Sequence, residues 1–163
     1  MSIRNCGELG LNLQKIIKRL LANQNLLKLL FYTDKDPLNN MNLTEVQIQN
    51  EIYNNLIRIV PRITDYKTAQ STLSVRIISG VPDITNSEFV GIKIGIEVFV
   101  PMTQWVIKDS NLRPFAIMGE VQNSLSGKTI NGLGKITSGG FTLNFLTEEI
   151  SDYEMIFTIT DYN

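Results

Sequence analysis

The stretch Glu88-Phe-Val-Gly-Ile-Lys-Ile-Gly-Ile-Glu-Val-Phe-Val100 decides the fold, because Val90, Ile92, Ile94, Ile96, Val98 and Val100 alternate strictly with Phe89, Gly91, Lys93, Gly95, Glu97 and Phe99. A period of two marks a β-strand, since successive side chains leave a strand on opposite faces. The six branched residues share one face, which must be buried. The other face receives small, charged or aromatic residues. Gly91 and Gly95 bring no side chain to that second face and predict a bend, or the close approach of another backbone.

Working outward towards the N-terminus, Leu73, Val75 and Ile77 alternate with Thr72, Ser74 and Arg76, a second strand. The residues between the two strands, Ser79-Gly-Val-Pro-Asp-Ile-Thr-Asn86, exceed a tight hairpin and predict an extended, exposed tip. Leu56 to Val60 is branched and precedes Pro61, which has no N–H for a ladder, so this strand lies at an edge or ends there. Earlier still, Leu13, Ile16, Ile17, Leu20 and Leu21 keep helical spacing with Lys15, Lys18 and Arg19 between them. Asn23, Gln24 and Asn25 interrupt the pattern before Leu26, Leu27, Leu29 and Leu30 resume it, which favours two successive helices over one bent helix. Thr33 to Asn40 is rich in turn formers, and Thr44 with Gln47 matches a capping box for a short helix from Glu45 to about Tyr53.

Working towards the C-terminus, the organising strand ends at Pro101. Asp109, Ser110 and Asn111 are candidate N-caps for a helix with Pro114 in its first turn, running to about Ser126. Ile117, Met118, Val121 and Leu125 lie on one side of it, and Gly127 is placed to close it at C′. Gly132, Gly134, Gly139 and Gly140 punctuate short extended pieces, after which Phe141 to Phe145 and Tyr153 to Thr160 alternate as strands. The fold class is therefore α+β: one mostly antiparallel sheet with an N-terminal helical segment and a second helix packed on it. Strict βαβ alternation is missing, so the fold is not doubly wound.

At 163 residues the chain has the size of one domain, residues 1–163, long enough to bury about 70% of its unfolded surface. Hydrophobic residues make up 43% and charged residues 19%, which fits neither disorder nor a fibre. Apolar runs stay well short of the about 20 residues of a membrane span, and the start lacks a signal-peptide pattern. With 15 basic and 16 acidic residues the chain lacks the basic excess of a general nucleic-acid binder. One cysteine, Cys6, excludes an intrachain disulfide, and the absence of histidine removes the commonest metal ligand and general base. Charge is unevenly placed. Residues 1–30 carry Arg4, Lys15, Lys18, Arg19 and Lys28 against Glu8, while Glu148, Glu149, Asp152, Glu154 and Asp161 follow residue 140 with no base among them. These are either solvated faces or surfaces that meet head to tail between subunits.

Candidate chemical motifs resolve into structural ones. Gly127-Lys128-Thr129 follows a helix rather than a strand, and the first glycine of a phosphate loop would fall at Gln122. Asp34, Asp36 and Asn39 miss the calcium-loop spacing and read as turn residues. Adjacent Glu148 and Glu149 would point to opposite faces of a strand, so a solvated loop is expected, and Asn42-Leu-Thr44 is better read as a helix cap than as a glycosylation sequon. Trp105 is a core anchor or an interface residue, with core favoured. Val81, Pro82 and Ile84 place apolar surface in the hairpin tip and point to a partner.

In order of elements, the chain resembles the tail terminator and head-to-tail joining proteins of tailed bacteriophages. Phe31-Tyr-Thr-Asp-Lys-Asp-Pro37, Pro101-Met-Thr-Gln-Trp-Val-Ile107 and Leu112-Arg-Pro-Phe-Ala-Ile-Met-Gly-Glu120 look like stretches of phage structural proteins. The resemblance covers nearly the whole chain and implies a non-enzymatic virion protein, a homohexameric ring that caps the tail tube and joins it to the head. It implies no cofactor and no metal. Expected partners are further copies of the chain, the tail tube protein and a neck or head-completion protein, in the virion and in the host cytoplasm during assembly, with no membrane and no sequence-specific nucleic acid. By position, the tube-facing loop would be Ser79, Val81, Pro82, Asp83, Ile84, Thr85 and Asn86. The boundary between subunits would set Lys15, Lys18 and Arg19 against Glu148, Glu149 and Asp152. Asp34 to Tyr53, which resembles an insertion, and the leucine-rich start depart from the family's pattern and leave a neck adaptor as the alternative. Two other classes compete: a hydrolase or transferase working without histidine, and a peptide or small-ligand module that uses the glycine-bearing strand face as a groove.

Overall fold

The computed structural model describes residues 6–59, 70–82, 89–130 and 133–160. Two helices open it, α1 (Leu9–Leu21) and α2 (Gln24–Phe31), as the break at Asn23 predicts. The Asn23 side chain caps α2 by accepting from Leu26 N at 3.1 Å, and its Nδ2 donates to Glu120 Oε2 and Ser124 Oγ, both at 2.9 Å. One residue thus ends one helix, starts the next and ties both to a third. The capping box of Thr44 and Gln47 starts α3 (Glu45–Gln47), which widens into a π-turn over Ile48–Ile52 that buries Ile52. Among the described residues no helix is long and apolar enough to cross a membrane.

The strands are β1 (Ile57–Arg58), β2 (Thr72–Pro82), β3 (Phe89–Pro101), β4 (Thr129–Ile130), β5 (Gly134–Leu146) and β6 (Ile150–Thr160). They form one sheet in the order β1-β2-β3-β6-β5-β4, antiparallel except for the short parallel pair of β1 with β2. Between β3 and β4 lies α4 (Arg113–Leu125). This is an α+β fold. One face of the sheet carries the helices, with α1 over β2 and α4 over β3, β6 and the rim of β5. Ile92, Ile94, Ile96, Val98 and Val100 of β3 are buried on that face with Leu73 and Val75 of β2 and Met155, Phe157 and Ile159 of β6. Each such side chain stabilises the fold by about 1.5–3 kcal/mol through burial. The side chain of Val90 lies outside the described part.

Four sequence expectations need correction. The second strand does not end at Ile77: Ile78 forms a bulge that re-phases the strand, so Ser79, Gly80 and Val81 pair with Lys93, Ile92 and Gly91, and only Asp83 to Asn86 of the supposed tip lie outside the described residues. Gly139 and Gly140 do not separate two strands; they form a bulge inside β5, with Gly140 at φ 96° where an L side chain would be strained. Asp109 and Ser110 do not cap α4, because both adopt positive φ in the preceding turn and Leu112 stands at the N-cap without a side-chain bond. Gly95 makes room for side chains rather than for another backbone, since a Cβ there would lie 2.5 Å from Glu154 Oε1 and 2.9 Å from Ile78 Cδ1. Gly127 does sit at C′ of α4, with φ 71°.

Arg113 holds the helix layer to the loops. Its guanidinium is fully buried and donates to four backbone carbonyls, those of Gln104 (2.8 Å), Leu29 (2.6 Å), Tyr32 (2.7 Å) and Asp34 (2.5 Å). Leu29 lies in the last turn of α2, where unsatisfied carbonyls favour a cation. Burial lowers the Arg113 pKa, and the nearby Asp34 carboxylate opposes the shift.

Candidate functional site

The sheet face opposite the helices carries the ionisable groups. Register places Ser74, Glu97, Glu154 and Thr142 on one rung, with Phe99, Asp152 and Phe145 on the next. Because Gly95 has no side chain, Arg76 reaches across β3, and its Nη2 meets Glu154 Oε1 at 2.6 Å while its Nη1 meets Glu97 Oε2 at 3.3 Å. The bond to Glu154 raises the Arg76 pKa further. One cation thus faces three carboxylates. The third, Asp152, is 1% exposed and accepts from Asn144 Nδ2 at 3.1 Å through Oδ2, but Oδ1 has no partner, and neither does the buried Ser74 Oγ. Burial, and then the hydrogen bond shared with Glu97, pushes the Asp152 carboxyl up to about 7 despite the pull of Asn144 and Arg76. Near neutral pH the Asp152 carboxyl therefore stands close to the midpoint between its protonated and ionised forms.

Two long strands have open outer edges among the described residues. β1 pairs only with Leu73 and Ser74, so β2 from Val75 onward lacks an outer neighbour. β4 pairs with Gly134 and Lys135, and its flank bonds Ile136, which leaves β5 open from Thr137 to Leu146. The open part of β5 is apolar: Phe141 is 60% exposed, Leu146 54%, Leu143 45% and Phe145 40%. Phe141 and Phe115 of α4 both pack on the Tyr153 ring, at 6.2 and 5.3 Å between centroids, so a half-wet aromatic cluster joins this edge to the helix layer. Open edge and apolar side chains together make this the surface most in need of a partner.

A family model described as YomW matches residues 23–159. The chain belongs to the YomW family. The matched span runs from the N-cap of α2 almost to the end of β6, so it takes in Arg113, the acidic cluster and both open edges. No curated protein matches the chain.

The residues singled out in the sequence fall into three groups. Lys15 and Lys18 lie on α1, half-buried and exposed respectively, while Arg19 is exposed but donates through Nε to the Ser124 carbonyl at 3.3 Å. Glu148 and Glu149 are exposed in the turn between β5 and β6, but Asp152 is buried in the sheet and offers no surface charge. Of the hairpin residues, Ser79, Val81 and Pro82 are exposed on β2, and Asp83, Ile84, Thr85 and Asn86 lie outside the described residues. Asp34, Asp36 and Asn39 act as turn residues: Asp34 Oδ1 accepts from Asp36 N at 2.8 Å, and Asp36 Oδ2 binds Asn39 Nδ2 at 2.7 Å and Lys108 Nζ at 2.9 Å. Trp105 is half-buried against the core, and its indole donates to Ser151 Oγ at 2.7 Å. The Arg76–Glu97–Glu154–Asp152 cluster was missed. Alternation in β2, β3 and β6 assigns all four to one face, and that signal was available.

Proposed function

We propose that this protein is a non-enzymatic structural component of a phage virion, a ring that caps the tail tube and forms the joint to the head. The observation that carries the reading is the unlikeness of the two sides of the sheet. Helix α1, with Lys15 and Lys18, lies over β2, whereas the far side ends in the apolar β5 edge and the acidic turn Glu148-Glu149. A chain that offers two different, complementary surfaces is suited to head-to-tail rings. Support for the setting comes from the likeness of residues 31–37, 101–107 and 112–120 to stretches of phage structural proteins. On this reading Ser79 to Asn86 faces the tube protein, six copies close the ring, and the chain works in the virion after assembly in the host cytoplasm.

A neck or head-completion adaptor is the second reading. The segment from Asp34 to Tyr53 favours it, because Met41 and Val46 there are 83% and 68% exposed and add apolar surface on the helical side. Solution mass and negative-stain imaging test both readings. A closed ring of defined size is the expected result; a plain monomer, alone and with tube protein, overturns the ring. Reversing Lys15 and Lys18 to glutamate weakens assembly while circular dichroism stays native, high salt does the same, and reversal of Glu148 and Glu149 to lysine restores it. Asp152 is left out of the reversal because it is buried.

A further inference from the structure

We infer that the boundary between subunits is a strand-to-strand junction in which the open β5 edge of one copy pairs with the open β2 edge of the next, so that the sheet continues from copy to copy. The inference rests on the ring reading and names the surface that would build it. Both edges belong to the same sheet and leave backbone donors and acceptors without a strand neighbour among the described residues. Such edges pair readily with another chain unless blunted by charge, proline or a covering element. Along β5 from Thr137 to Leu146 there is neither a charged residue nor a proline.

Direction and charge both select a second copy as the occupant. In the order β2-β3-β6-β5 every pair is antiparallel, so β2 and β5 run in opposite senses, and a neighbour's β2 laid beside β5 continues the alternation. The acidic turn Glu148-Glu149 at the end of β5 would then approach the neighbour's α1, which lies over its β2 and carries Lys15 and Lys18. Pairing of β5 with another β5 would instead close a dimer and leave both β2 edges open. The open stretches are not level. Through the sheet, Phe141 and Leu143 of β5 align with Val75 and Leu73 of β2, the covered end of that strand. Bringing Leu146 level with the neighbour's Val75, the first open residue of β2, staggers successive copies by about four residues, or ~13 Å along the strands, as a sheet that closes on itself requires.

Complementary single-edge variants decide the matter. The double variant Leu143→Lys, Leu146→Lys places cations on the β5 edge that would face the neighbour's basic helix. Ser79→Lys with Val81→Lys loads the β2 edge with charge of the same sign, so the two altered edges also repel one another. All four side chains are exposed, so each monomer is expected to fold. Each variant alone should run as a monomer, and an equimolar mixture should give heterodimers and nothing larger, because one boundary survives per pair. Hydrogen exchange on the unmodified protein supplies an independent reading: amides of residues 75–82 and 137–146 should gain protection as it assembles. If the protein forms rings but both variants also do, or those amides exchange alike in monomer and ring, the edge junction is wrong while the ring stands. If one variant alone still dimerises, the contact is between like edges. If the unmodified protein never assembles, alone or with tube protein, the ring reading and the junction fail together.

Discussion

Arg113 and Asp152 are both taken out of water, yet the guanidinium of one meets four carbonyls while the carboxyl of the other keeps an oxygen with no partner and shares its surroundings with Glu97 and Glu154. The first arrangement is what a buried charge needs in order to hold a fold together. The second is unfavourable for folding, because burial and a neighbouring carboxylate both oppose ionisation. Regions that keep such groups are where a chain departs from greatest stability, and function is a frequent reason. Asp152 lies on β6 opposite Phe145, one strand in from the apolar β5 edge. The well-satisfied charge therefore belongs to the scaffold, and the poorly satisfied one lies beside the surface expected to be used.

The largest effect should come from the scaffold side. Arg113→Ala breaks four hydrogen bonds at once and leaves the buried carbonyls of Gln104 and Leu29, and the part-buried ones of Tyr32 and Asp34, without their donors, which should destabilise by about 3–5 kcal/mol. Arg113→Lys should recover only part of this, since one ammonium cannot span carbonyls on three segments. Urea unfolding measures both. Equal midpoints for the lysine variant and the unmodified protein would show that charge, and not the planar fork, holds this junction.

The opposite sign is expected at Asp152. Its folded pKa of about 7 lies above the ordinary carboxyl value of 3.8, so the folded state holds the proton more tightly than the unfolded state. Below about pH 4 both states are protonated and the group has no effect. As pH rises from about 4 to about 7 it removes stability, and above 7 the loss is complete. Asp152→Asn should therefore raise stability at pH 8 by about 2–4 kcal/mol, change little at pH 4, and flatten the slope between. Thermal unfolding of both proteins across that range is the measurement. A parallel pair of curves would mean that Asp152 ionises normally and that the contrast with Arg113 does not hold.

Much of the scaffold was legible because its signals are local. The alternation of β3 identified the face that carries Ile92, Ile94, Ile96, Val98 and Val100, the polar break at Asn23 divided the two helices, and the Thr44–Gln47 box started α3. Arg113 was not legible as a staple, since its four acceptors lie up to 84 residues away and no period records them. The caps at Asp109 and Ser110 were misassigned because residue type fits a cap while φ near 60° there forms a turn. Asp152 was counted with the acidic C-terminal residues on charge and chain position alone, whereas the sheet buries it. Burial there depends on neighbours from three strands.

The smallest effect belongs to Gly95, where scaffold and cluster meet. No backbone strain holds glycine at this position; the space it leaves is occupied by Glu154 Oε1 and Ile78 Cδ1. Both are ends of flexible side chains, so Gly95→Ala can be accommodated if Glu154 withdraws, but withdrawal lengthens its 2.6 Å contact with Arg76. The expected loss is about 1–2 kcal/mol, from crowding and a weakened, partly screened ion pair. A test separates the two contributions. In an Arg76→Met background the ion pair is already gone, so Gly95→Ala should lose less there, and the double-mutant cycle should show coupling of about 0.5–1 kcal/mol. Additive effects would mean that the glycine accommodates Ile78 alone. A cycle that couples would show that the crossing of Arg76 over β3 depends on the missing side chain, and with it the pairing of the two carboxylates beside Asp152.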